Sequence, residues 1–223
     1  MGRGDRVGRL ITIEGVEGAG KTTQVARLGA WLRERGLLVA QTAEPDGTPL
    51  GVRIRELLGA LPTLDPLAEG LLFAAARAEH VRRVIRPALD RGITIICDRY
   101  EDSTTAYQGY GRGVDLAVIA VLNRLATDGL HPDLTIVLDV DVAEGLRRVA
   151  RREPAPDAPR ERGRDPFERL GLEFHERVRK GYRAVHEREP ERVTLVAADQ
   201  PEEAVAAEVR ARVARRLLVE GNP

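Results

Sequence analysis

Lysine is nearly missing from this chain: of 35 basic residues in 223, only Lys21 and Lys180 are lysine, and the other 33 are arginine. Cysteine occurs once, as Cys97 in the apolar run ITIIC, which excludes an intramolecular disulfide and reads as a buried strand residue rather than a nucleophile. No net charge is present, since 35 basic side chains balance 35 acidic ones, so no global field points to a nucleic acid or a membrane surface. No apolar run approaches membrane-spanning length, and the amino terminus MGRGDRVGR has no apolar segment for export. The expectation is a cytoplasmic protein with neither nucleic acid nor membrane as partner. A guanine-reading Asn-Lys-x-Asp motif is lacking as well, the nearest segment being NRLATD at 123–128. None of the four histidines sits in a catalytic motif.

What is present begins at residue 13, with IEGVEGAGKTTQ. Gly15, Gly20, Lys21 and Thr22 fit G-x-x-x-x-G-K-[ST], a loop whose backbone N–H groups turn toward the phosphates of a nucleotide. The loop runs through Gly15, Val16, Glu17, Gly18, Ala19, Gly20, Lys21, Thr22 and Thr23. The helix opening near Lys21 adds its positive end. Lys21 supplies a mobile point charge to the phosphates, and the Thr22 hydroxyl is placed for the shell of a magnesium ion. In a chain this poor in lysine, its use here suggests that a planar guanidinium would not serve. Glu17 is the odd member, an acid inside an anion cradle.

Short β-branched runs alternate with helical patterns, which predicts one α/β domain over 1–223 with a parallel sheet covered on both faces. Strands are expected at 10–14, 37–42, 93–98, 133–140 and 192–197. Helices are expected at about 22–35, 50–59, 66–91, 115–127, 142–152, from near Phe167, and at 201–219. ICDRY at 96–100 puts Asp98 at the carboxyl edge of the sheet, where open α/β folds bind ligands. Asp98 there could hold magnesium through its water shell, and Arg99 could grip a second anion in a bidentate way. Two anion sites at one edge suggest a donor phosphate facing an acceptor phosphate. Between 147 and 164 seven arginines face three acids in a segment broken by proline, as expected of a lid presenting arginine to a migrating phosphoryl group. A phosphate acceptor needs no general base, because its second pKa is about 6.

Together, IEGVEGAGKTTQ, EPDGTPLG, LLFAAARAEH, ICDRYEDSTTAYQGYGRG, HPDLTIVLDV and LEFHERVRKGY resemble the bacterial thymidylate kinase family over residues 9–215. The resemblance implies a P-loop kinase fold with a five-stranded parallel sheet and an Arg-rich lid at about 147–166, a homodimer, and magnesium-dependent transfer of the ATP γ-phosphoryl to dTMP. It would place Phe73 on the thymine ring and Arg77 at the base edge. Arg55 and Arg99 would hold the dTMP phosphate, Thr104 and Gln108 would border the base, and Tyr107 would crowd the 2′ position of the sugar. Glu17 would project toward the acceptor rather than toward ATP. Because Gly18 stands where some relatives carry a catalytic arginine, that cation is expected from the lid, with Arg164 first among Arg151, Arg152, Arg160, Arg162 and Arg164. The chain departs from the family pattern at Ala43, Asp46 and Pro166. A P-loop kinase for another pyrimidine nucleotide, or a nucleotide-binding regulatory paralogue, stays open as an alternative.

Overall fold

A computed structural model describes residues 8–61, 63–151, 167 and 170–218. Five strands form one sheet: β1 (Leu10–Glu14), β2 (Val39–Ala43), β3 (Thr94–Asp98), β4 (Leu134–Asp139) and β5 (Val193–Ala197). Their spatial order is β2-β3-β1-β4-β5, and every pairing is parallel, as the alternating pattern predicted.

β1 is central and buried throughout, and aligns Ile11 with Ile96 on one side and Leu134 on the other. Strands covered on both faces need apolar residues at successive positions, which LITIE and TIICD supply. Ile96 joins the larger core with Val25, Leu28 and Leu32, while its neighbours Ile95 and Cys97 pack with Val81, Ile85 and Leu89. Cys97 is fully buried and burial pushes its thiol up, in line with a structural role.

The helices are α1 (Lys21–Arg33), α2 (Pro49–Ala60), α3 (Pro66–His80), α4 (Arg86–Asp90), α5 (Glu101–Thr104), α6 (Leu116–Thr127), α7 (Val142–Arg151), α8 (Leu172–Arg188) and α9 (Glu202–Val213). Capping sets several starts. Thr48 accepts from Gly51 N–H ahead of α2, Asp65 from the N–H groups of Leu67 and Ala68 ahead of α3, and Asp115 from Ala117 N–H ahead of α6. Pro49 and Pro66 occupy first-turn positions where a missing N–H costs nothing. The expected helix over 66–91 forms as α3 and α4 joined through a π-helical stretch at Val81–Ile85.

Two expectations need correction. The sequence pattern predicts no element between the third strand and residue 115, yet α5 and a π-helical segment at Thr105–Gly111 fill that stretch. Gly109 and Gly111 hide it from propensity arguments. Packing against α8 explains it: a Cβ on Gly111 would come within 2.7 Å of the Phe174 ring. The helix expected near Phe167 starts instead at Leu172, after Gly171. The lid expected at 147–166 has only its first turn, the end of α7, among the described residues, and Arg152, Arg160, Arg162, Arg164 and Pro166 lie outside them.

Candidate active site

The glycine loop leaves β1 and enters α1 with Gly15, Gly18 and Gly20 at φ 141, 71 and 93°, conformations open to glycine at little cost. Gly18 has a second reason to lack a side chain. A Cβ there would lie 2.0 Å from the carbonyl oxygen of Gly145 in α7, and one on Gly145 would lie 2.4 Å from that of Glu17. No side chain caps α1, so its first N–H groups are left for an anion. Lys21 is buried beneath the loop, with Nζ donating to the carbonyls of Gly15 (3.1 Å) and Val16 (3.0 Å).

Three acids end strands at this edge, and the structure gives each a different setting. Asp98 of β3 accepts from the exposed Thr22 hydroxyl, at 2.8 Å. Asp139 of β4 is taken by Arg179 (2.6 Å) and Arg183 (2.7 Å), whose hydrogen bonds outweigh burial and hold its carboxyl below the usual range. Glu14 of β1 is fully buried, accepting from Tyr100 N–H (2.7 Å), Ser103 Oγ (2.6 Å) and the Tyr182 hydroxyl (2.9 Å). Of these three acids, Asp98 is the one bonded to Thr22, and the pair sets two hard oxygens beside the loop. No group of three or more potential metal ligands occurs among the described residues. That set fits magnesium, which keeps its waters and takes one or two protein oxygens plus phosphates.

Burial, helped by Asp102, pushes the Glu14 carboxyl up to about 7 from 4.5, against the hydrogen bond from Ser103, the charge of Arg99 and the N–H of Tyr100. The folded protein therefore holds a proton between about pH 4.5 and 7 that the unfolded chain has released. Stability falls as pH rises through that window and levels off above it. Glu14→Gln, which stays neutral, should gain about 2–3 kcal/mol on wild type between pH 5 and pH 8 in urea denaturation. A difference between the two proteins that does not change with pH would refute this.

Glu17 is explained by its neighbours. Its carboxylate receives Arg99 Nη2 at 2.6 Å and the Tyr107 hydroxyl at 2.8 Å, so it faces away from the cradle. Burial alone would raise its pKa, but Arg99, Lys21 and the Tyr107 hydrogen bond bring it down to about 2. Arg99 sits at φ 72°, a left-handed position rare for a side chain of this size, which aims the guanidinium back over the loop toward Gly15 O and Ser103.

Beyond Glu17 opens a narrow cleft. All seven residues expected at the acceptor line it: Arg55, Phe73, Arg77, Arg99, Thr104, Tyr107 and Gln108. Glu44, Pro45, Ser103 and Phe167 complete the lining and were not singled out from the sequence. Phe167 carried a signal in its rarity. The chain has three phenylalanines, and all meet here, with Phe73–Phe167 and Phe167–Phe174 ring centroids 6.0 Å apart. Arg77 is buried and donates to Glu44 (2.8 Å), Thr104 (2.8 Å), Asn123 (3.1 Å) and the Tyr100 carbonyl (2.9 Å), so protein acceptors already engage the group expected at the base edge. His80 packs beside the same Glu44 carboxylate (3.2 Å) and against the Thr42 hydroxyl (2.7 Å), away from the cleft lining.

A glycine loop with its lysine and threonine, an acid at the same sheet edge, and an arginine joining the loop to a second cleft define a P-loop kinase fold equipped for two phosphorylated ligands. Family comparison narrows the class: a model described as thymidylate kinase matches residues 13–209. Thymidylate kinases of Thermomicrobium roseum and Deinococcus radiodurans are 53% and 48% identical, over 92% and 94% of this chain and 93% and 98% of theirs. The crystal structure of thymidylate kinase from Ehrlichia chaffeensis superposes with a TM-score of 0.74 at 35% identity, covering 92% of this chain and 98% of that one. This chain belongs to the thymidylate kinase family.

Proposed function

We propose that this protein transfers the γ-phosphoryl group of ATP to dTMP, giving dTDP and ADP. The observation that carries the proposal is the single cleft lined by all seven expected acceptor residues and joined to the phosphate loop through the Arg99–Glu17 pair.

In this reading Lys21 leaves the loop carbonyls to meet the ATP phosphates, while the uncapped start of α1 and the loop N–H groups hold them. Thr22 and Asp98 would hold magnesium. Bound there, magnesium supplies positive charge that neutralises the β- and γ-phosphates. Arg99 and Arg55 grip the dTMP phosphate, one oxygen of which forms the new P–O bond as the bond to the ADP oxygen breaks. The acceptor is largely dianionic near pH 7, so no residue must remove a proton. Phe73 stacks on the thymine, Tyr107 narrows the space at the 2′ position, and Glu17 is held on the acceptor side for the sugar hydroxyl. Arg164 remains the first choice for a lid cation; it lies outside the described residues.

Asp46, one of the departures from the family pattern, has a concrete consequence. It pairs with Arg55 at 2.7 Å, and both side chains are well exposed. A substrate phosphate must compete with that carboxylate. Asp46→Asn should lower KM for dTMP about two- to fivefold with kcat little changed, an exposed pair being worth about 0.2–1 kcal/mol. An unchanged or raised KM would remove Asp46 from the acceptor site.

A homodimer is proposed as well. Leu67 and Leu71 of α3 and Val118, Val121 and Leu125 of α6 are exposed on two helices that pack together, an apolar face suited to a second copy. Sedimentation showing a monomer at micromolar concentration would exclude it. The activity itself is tested by ADP release from ATP and magnesium with dTMP, dUMP, dCMP, UMP, AMP and GMP, beside a control without acceptor. Turnover greatest with dTMP is expected. No turnover from a folded protein that still binds ATP would favour the regulatory reading.

A further inference from the structure

Behind the base end of the cleft lies a carboxylate that the reaction does not use. Glu69 of α3 is buried, and its Oε1 receives Gln108 Nε2 at 2.9 Å and Arg112 Nε at 3.2 Å, while its Oε2 receives Arg112 Nη2 at 2.8 Å. An ionised carboxylate only accepts hydrogen bonds. The Gln108 side chain must therefore turn its nitrogen toward Glu69, which leaves its carbonyl oxygen as the group available to the cleft that Gln108 lines.

Thr104, one helical turn earlier, is constrained in the opposite sense. Arg77 can only donate, and its Nη1 lies 2.8 Å from Thr104 Oγ1. The hydroxyl oxygen accepts that bond, so its own hydrogen is left for another acceptor. The cleft thus presents a donor from Thr104 beside an acceptor from Gln108. Thymine and uracil carry a carbonyl at position 4 and an N–H at position 3, which complement this order. Cytosine carries an amine at 4 and a bare ring nitrogen at 3, and so opposes it at both points.

We propose that Glu69 is a positioning residue that sets the polarity of the base-reading edge, selecting 4-oxo over 4-amino pyrimidines by fixing the Gln108 amide. The proposal rests on a pyrimidine nucleotide being the acceptor and adds the means of choosing among them. Arg112 completes the device. Held by Glu69, its guanidinium also stacks over Phe167 and Phe174, at 5.7 and 5.3 Å from their centroids, so the carboxylate is tied to the aromatic wall of the cleft.

Glu69→Gln tests it with almost no change of shape. The stronger Arg112 Nη2 contact would take the new amide oxygen, turning the new amide nitrogen toward Gln108 and forcing that side chain to reverse. Calorimetric titration of dTMP and dCMP into wild type and Glu69→Gln, alongside turnover of both, should show the dTMP:dCMP ratio falling by about tenfold or more. KM for ATP should stay near wild type. Gln108→Ala, which leaves the Glu69–Arg112 pair in place, should lose the same discrimination.

A variant that binds more weakly but keeps the wild-type ratio would overturn the proposal, since a merely structural role lowers both affinities together. So would an unchanged ratio in Gln108→Ala. Wild-type protein that binds dTMP over dCMP without turning it over would refute the kinase reading and leave the proposal standing if the variants lose that preference. Wild-type protein that binds neither would refute both.

Discussion

Replacing Arg99 with alanine should lower kcat/KM for dTMP by at least about a hundredfold while ATP affinity stays within a few-fold of wild type. The magnitude follows from removing a charge-assisted contact to a dianion at the reacting centre, where such donors are worth about 3–4 kcal/mol. The same substitution strips Glu17 of the nearest of the cations that hold its carboxyl near 2, leaving a buried carboxylate short of its partner. That costs about 3–5 kcal/mol of stability, which could be mistaken for loss of function. The double variant Arg99→Ala with Glu17→Gln separates the two, because it should recover most of the stability and none of the dTMP turnover. Steady-state kinetics with ATP binding measured by calorimetry reads both. Loss of ATP binding with dTMP KM unchanged would put Arg99 on the donor side instead.

Lys21→Arg should be almost as damaging as Lys21→Met, each lowering kcat by about a thousandfold. Charge is kept in the first variant, so the expectation rests on space. Lys21 is buried, and its ammonium lies 3.1 and 3.0 Å from two loop carbonyls at the point where α1 begins. A guanidinium is planar and wider, and must direct its donors in a fixed fork. Burial and Arg99 already lower the lysine pKa, opposed by Glu17, Asp98 and Glu14, so even the ammonium is held there at a cost. Single-turnover measurement of ADP formation checks it. An arginine variant with more than about a tenth of wild-type kcat would show that charge alone suffices.

The phosphate loop and the sheet were legible in the sequence because each depends on local order. Glycine spacing around Lys21 and Thr22 fixes the loop, and continuous apolar runs fix strands buried on both faces. All five strands lie within two residues of where these runs placed them. The segment 101–111 escaped because its two glycines speak against a helix, and only the close approach of α6 to Gly109 and of α8 to Gly111 makes them necessary. Glu17 was visible as an anomaly, but its partners Arg99 and Tyr107 lie more than eighty positions away.

By itself, then, the sequence determined the class of fold, the phosphate loop with its lysine, and the strand-ending Asp98 with its neighbour Arg99. Each is a matter of residue type at fixed spacing, which chain geometry converts directly into structure. Tertiary structure decided which of three strand-ending acids meets Thr22, which carboxylate restrains Arg55, and which way the Gln108 amide faces. These depend on which side chains meet across the sheet edge, and a hydrogen bond between residues 39 positions apart, as between Glu69 and Gln108, leaves no local pattern to read.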